Sequence, residues 1–173
     1  PNTPPFYFYT EGLELENSRF SLWDENLEHP QILDFKRLDV EAADFTILGP
    51  EVRTHIQSLK LKSSRDVPIE QLTTRFTYTK DHMDFDSLLI KTPGSQLQGS
   101  LRFDYQREDL AEFTDKVQIT AAFSESTVSL DEVNQFYDGF GKGRTALLNT
   151  SVSGTLNDLQ LDNLLIVSDN TGI

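Results

Sequence analysis

The stretch from Thr73 to Tyr105, TTRFTYTKDHMDFDSLLIKTPGSQLQGSLRFDY, constrains the fold more than any other part of the chain. Its apolar residues fall on alternate positions. Phe76 and Tyr78 form one pair, Met83 and Phe85 a second, Leu88 and Ile90 a third, and Leu97, Gly99, Leu101, Phe103 and Tyr105 close the series. A period of two places every apolar side chain of a strand on one side of a sheet. Polar turns at Thr79–His82 and Thr92–Ser95 separate the runs. The pattern predicts a meander of short antiparallel strands with one apolar and one polar face.

The pattern returns between Thr150 and Ile173. An offset of 76 residues sets Phe76 on Val152, Met83 on Leu159, Phe85 on Leu161, Leu88 on Leu164 and Ile90 on Ile166, without a gap. Repeat-like units near 73–105 and 150–173 predict a stacked or elongated architecture. The second unit stops where the next strand of the first begins, so a longer chain is expected.

Elsewhere the chain alternates in the same way. Residues Pro1–Pro5 read as a linker. Strand signals follow at Phe6–Tyr9, Leu13–Leu15 and, after a kink at Asn17–Ser18, at Phe20–Leu22. Trp23 to Gln31 is polar and ends a hairpin. Leu33–Phe35, Leu38–Val40 and Phe45–Ile47 give three short strands before a turn at Gly49-Pro50. Val52–Ile56 and Leu59–Leu61 lead to a polar turn at Ser63–Val67. Glu108–Asp115 reads as one or two helical turns, and Val117–Phe123 as a strand. Ser129–Phe140 is the best helix candidate. Ser129 with Glu132 fits a capping box, Leu130, Val133, Phe136, Tyr137 and Phe140 share a face, and Gly139, Gly141 and Gly143 stop it. The expectation is about fourteen short strands with one or two short helices.

Twelve Phe and five Tyr within an apolar fraction of only 37% suit one thin apolar surface with much solvated edge. An ordinary half-solvated sheet has the same composition. The net charge of −13, without a cluster of Lys and Arg, argues against nucleic acid and against anionic lipid surfaces. The absence of cysteine removes disulfide and thiolate chemistry, and is compatible with periplasm and cytosol alike. No apolar run approaches the roughly 20 residues that span a bilayer.

Candidate chemistry is sparse. Gly139-Phe140-Gly141-Lys142-Gly143-Arg144-Thr145 invites a phosphate-loop reading, but Gly143 follows Lys142 where Ser or Thr is needed. Asp81, His82, Asp84 and Asp86 are acidic enough for a metal, yet Asp84 and Asp86 flank Phe85 and belong on the polar face. His29, His55 and His82 lie in unrelated settings, and no Gly-x-Ser-x-Gly elbow occurs. No catalytic residue, metal or cofactor is expected, and the chain reads as non-enzymatic. The apolar stripe itself remains. It is either the core of a β-sandwich or the inner face of a single curled sheet.

The unit FTYTKDHMDFDSLLIKTPGSQLQGSLRFDY resembles the recurrent unit of the AsmA/TamB superfamily. Phe85, Leu88, Ile90, Thr92, Ser95, Leu97 and Gly99 match its strand pair and following Ser-x-Leu-x-Gly strand. Val152–Ile166 repeats the start of that unit. Phe45–Leu61 and Val128–Phe136 look like TamB-type proteins of Bacteroidetes. The resemblance covers roughly residues 6–173. It implies a β-taco, an elongated curled antiparallel sheet with an apolar concave face. It implies a non-enzymatic segment of a periplasmic bridge, anchored in the inner membrane through a segment not in this sequence. Its implied partners are phospholipid acyl chains and, through other parts of the chain, a BamA-family (TamA-like) outer-membrane barrel. On this reading Phe76, Tyr78, Phe85, Leu88, Ile90, Leu101 and Phe103 line a lipid groove. The alternatives are a scaffold subunit of an outer-membrane assembly and a carbohydrate- or peptide-binding β-sandwich.

Overall fold

A computed structural model describes residues 4–23, 31–62, 67–135, 139 and 142–168. Nine strands pair in chain order as one open, curled antiparallel sheet. They are β1 Tyr7–Trp23, β2 Gln31–Leu48, β3 Glu51–Lys62, β4 Ile69–Tyr78, β5 His82–Lys91, β6 Gln96–Asp104, β7 Gln118–Ser129, β8 Thr145–Thr155 and β9 Asp158–Ser168. A curled mainly-β sheet with short helices is therefore present, and the described residues supply no second sheet to close a sandwich.

The strands are longer and fewer than the alternation predicts. Breaks in the apolar phase are bulges inside continuous strands, not strand ends. Each of the eight strand pairs carries a register shift. Four non-glycine residues beside these shifts adopt left-handed backbone, Asn17, Asp44, Ser87 and Glu125, with φ between 50° and 52°. An extra residue in one strand bends it and resets which side chains face inward. Phe85 and Leu88, three apart, thus share a face of β5 because Asp86 and Ser87 form the shift between them.

The bends are satisfied by a recurring set of hydrogen bonds. Thr54 Oγ1 donates to the Ala43 carbonyl (3.0 Å), beside Asp44. Thr74 Oγ1 donates to the Asp86 carbonyl (2.9 Å), beside Ser87. Thr150 Oγ1 donates to the Asp162 carbonyl (3.0 Å). Ser126 Oγ accepts from Gln98 N–H (2.9 Å) and donates back to its carbonyl. The amides of Asn17 and Glu125 donate to Asp39 and Asn149 side chains on the neighbouring strands. Thr74, Ser126 and Thr150 are buried, so their hydroxyls replace water on groups that the bulges release.

The two repeat-like units share their pairing. Strands β8 and β9 begin 76 residues after β4 and β5, at 145 against 69 and 158 against 82. Phe76 pairs Phe85 as Val152 pairs Leu161, and Leu72 pairs Ile90 as Leu148 pairs Ile166. Thr74 and Thr150 make equivalent bonds. Thr74→Val is expected to cost about 1–3 kcal/mol by leaving the Asp86 carbonyl without its donor. Thr150→Val should cost a similar amount, and thermal unfolding of both variants checks the equivalence.

Two short helical inserts sit at strand ends. Between β6 and β7, a 3-10 turn at Arg107–Glu112 runs into α1, Phe113–Lys116. Gln106 N–H donates to Asp109 Oδ2 at its start (2.7 Å). Between β7 and β8, α2 spans only Leu130–Val133, far shorter than the helix expected over Ser129–Phe140. Residues 136–138, 140 and 141 of that expectation lie outside the described residues. Ser129 makes no side-chain cap. Its expected capping partner Glu132 instead reaches across to the β5–β6 turn. There Thr92 Oγ1 (2.6 Å), Gly94 N–H (2.8 Å) and Ser95 Oγ all donate to its carboxylate. The turn offers three donors in one place, which outcompetes the helix's own first amide. Residues 24–30 and 63–66, expected as polar connections, and 1–3 of the expected linker also lie outside the described residues.

Candidate functional site

Directly opposed residues of an antiparallel pair project to the same side. Following the register therefore gives the rows of each face. One row runs Phe8, Ile47, Val52, Tyr78, Met83, Phe103, Ile119, Gly154 and Leu159, one residue from each strand and none of them charged. The next row on that face includes Thr54, Phe76, Phe85, Leu101, Ala121, Val152 and Leu161. Leu88, Gly99, Phe123 and Thr150 lie along the bend. Past it, Leu15, Val40, Leu59, Leu72, Ile90 and Leu97 form a further apolar row.

The register thus brings Phe76, Tyr78, Phe85, Leu88, Ile90, Leu101 and Phe103 together on one face. Phe76 and Phe85 rings stand 5.0 Å apart, and Phe85 meets Phe103 edge-on at 5.9 Å. Leu88, at the bend, is 2% exposed, while the other six are only half-buried. A single layer leaves its apolar side chains open on the side away from the backbone. The chain exposes 12017 Å² in total, against about 8,600 Å² for a compact monomer of this mass.

The opposite face is polar in the same registers. Its corresponding row is Tyr9, Thr46, Arg53, Thr77, Asp84, Arg102, Thr120, Ser153 and Gln160. Arg102 donates to both Asp84 oxygens (3.1 Å each) and to Asp104 (2.8 Å). Asp84 is therefore occupied by a guanidinium, and no metal-holding group of carboxylates and imidazoles occurs among the described residues. His82 Nδ1 meets both Asp81 Oδ1 (2.6 Å) and Thr79 Oγ1 (2.9 Å). The other ring nitrogen, Nε2, lies 3.3 Å from Asp84 Oδ2, so His82 joins the Thr79–Asp81 turn to the Asp84–Arg102 ion pair. The Thr79 hydroxyl, then His82, hold the Asp81 carboxyl below its usual range. In the glycine-rich run, Gly143 N–H donates to the Asp131 carboxylate (3.0 Å).

The rim where β6 leaves the sheet carries two residues that continue the alternation of β6 and β7 just past the strand ends. Tyr105 and Val117 are buried there, and Tyr105 donates its hydroxyl to the Thr79 carbonyl (3.1 Å). Burial, then the neighbouring Tyr78, push the Tyr105 phenol up to about 12. A phenol raised by burial costs the folded state stability wherever the unfolded chain ionises first. The stability that the phenol contributes is complete below pH 10 and is lost as pH rises toward 12. The Tm difference between the parent and Tyr105→Phe, read at pH 9 and again at pH 11.5, should shrink at the higher pH. Thr74 and Thr150 had a sequence signal: each stands two residues before an apolar inward residue, in the same phase.

Comparison with protein-family models, curated proteins and solved structures returned no match.

Proposed function

We propose that these residues form a segment of an AsmA/TamB-like protein that carries phospholipid acyl chains along its apolar face across the periplasm. What supports this most directly is the continuity of the row from Phe8 to Leu159, uncharged across all nine strands and, among the described residues, uncovered by a second sheet. Each CH2 moved from water to an apolar surface gains about 0.8 kcal/mol. A 16-carbon tail therefore faces more than about 10 kcal/mol in leaving a bilayer for water. A continuous apolar face lowers that barrier at every step, with no bond made and no cofactor. The headgroup stays in water at the open side, and the charged outer face keeps the sheet soluble. Membrane anchoring and contact with an outer-membrane barrel belong, on this reading, to other parts of the protein.

The test places a photo-crosslinking benzoylphenylalanine at Phe85 of the full-length protein in cells. Phospholipid adducts are expected, and Leu101→Asp should abolish them while circular dichroism shows the sheet retained. A folded protein without adducts overturns the proposal. If Leu101→Asp also leaves outer-membrane assembly intact, a purely scaffolding role is excluded as the source of the phenotype.

A further inference from the structure

From the geometry of the β6–β7 insert we infer that Phe113 narrows the apolar face and selects straight acyl chains over branched ones. The inference rests on the lipid-carrying reading above. Phe113 lies over part of the apolar face. Its ring packs on Phe103 with centroids 5.5 Å apart and planes at 63°, in the position a hydrocarbon tail would take over that row. Phe103 in turn sits between Met83 and Ile119 in the row that crosses every strand. A tail passing β6 must therefore run on the row below, over Phe85 and Leu101.

The insert is fixed on both sides. Tyr105 N–H, just before it, donates to the Asp81 carbonyl of the β4–β5 turn (2.9 Å). On the far side, the Asn157 backbone N–H donates to the Thr114 carbonyl (3.1 Å), and its side-chain amide donates to Asp115 Oδ1 (2.8 Å). The insert thus spans from the β4–β5 turn to the β8–β9 turn. A ring held at both ends rejects a methyl-branched tail by sterics, where a freely moving loop would yield.

The experiment uses the full-length protein with benzoylphenylalanine at Phe85 and vesicles of either straight-chain dipalmitoyl or methyl-branched diphytanoyl phospholipid. The parent should label with the straight lipid and poorly with the branched one. Phe113→Ala should raise branched-lipid labelling about tenfold, the scale on which apolar sites discriminate small hydrocarbon groups, and leave straight-lipid labelling nearly unchanged. Phe113→Leu, which keeps an apolar contact with Phe103, should fall between. Asn157→Ala, which removes the side-chain tie to Asp115 alone, carries the test if Phe113→Ala does not fold. An unchanged branched-to-straight ratio in the folded variants overturns the selective role and leaves the lipid reading standing. Absence of labelling by both lipids in the parent overturns the lipid reading itself.

Discussion

Gly99→Ala should destabilise the sheet by about 3 kcal/mol, the upper part of the range for forcing an extra methyl group into a packed site. A Cβ at Gly99 would lie 1.8 Å from the Ala122 carbonyl oxygen and 2.9 Å from its carbon. Both are backbone atoms of β7 and cannot swing away as a side-chain tip would. Gly99 pairs with Leu88 on one side and Phe123 on the other, so β7 closes in where the sheet bends. For a chain of this size the cost corresponds to a Tm lower by roughly 6–12 °C. Gly12→Ala is the control. Nothing lies within 4 Å of a Cβ there, and the change should stay within about 0.5 kcal/mol. Calorimetry on both variants decides the matter, and equal Tm values would mean that β7 does not approach β6 at this point.

Leu88→Ala is expected to cost about 2–5 kcal/mol, the usual range for truncating a buried leucine. Leu88 is 2% exposed and sits where β5 bends, so neighbouring strands surround it. Leu101→Ala, one row away and half-buried, should cost clearly less. Urea titration of the two variants gives the comparison. A Leu101→Ala cost equal to that of Leu88→Ala would place the densest packing on the walls of the curl instead of its bend. Leu88 faces Gly99 across β5 and β6, so the two substitutions share a site and should not add.

The sheet and its sidedness are legible in the sequence because a period of two survives in every strand. Phe76, Tyr78, Phe85, Leu88, Ile90, Leu101 and Phe103 were identified from that period, and register puts them on one face. Strand lengths were not legible. A bulge and a strand end both interrupt the alternation, and only the backbone separates them. Asn17-Ser18 reads as a kink and is a left-handed residue inside β1; the separate pairs Met83/Phe85 and Leu88/Ile90 belong to one strand, β5, with a shift between them. The helix over Ser129–Phe140 was misread for a different reason. Local pattern favours a cap by Glu132, but the β5–β6 turn, distant in sequence, offers that carboxylate three donors. Phe113 was assigned to a helical turn correctly, yet its contact with Phe103 depends on how the insert folds back over the sheet.

The shifts shared by every strand pair have a consequence for how such a chain tolerates changes in length. Deleting one residue from the middle of β5 would move Leu88 and Ile90 from the apolar side into water and misalign both neighbours at once. Adding residues to the 107–116 connection would leave every row in place, since that segment joins the sheet only at its margin. Variation in length should therefore collect at the margins, and each strand's interior should keep its residue count even where the side chains themselves are replaced.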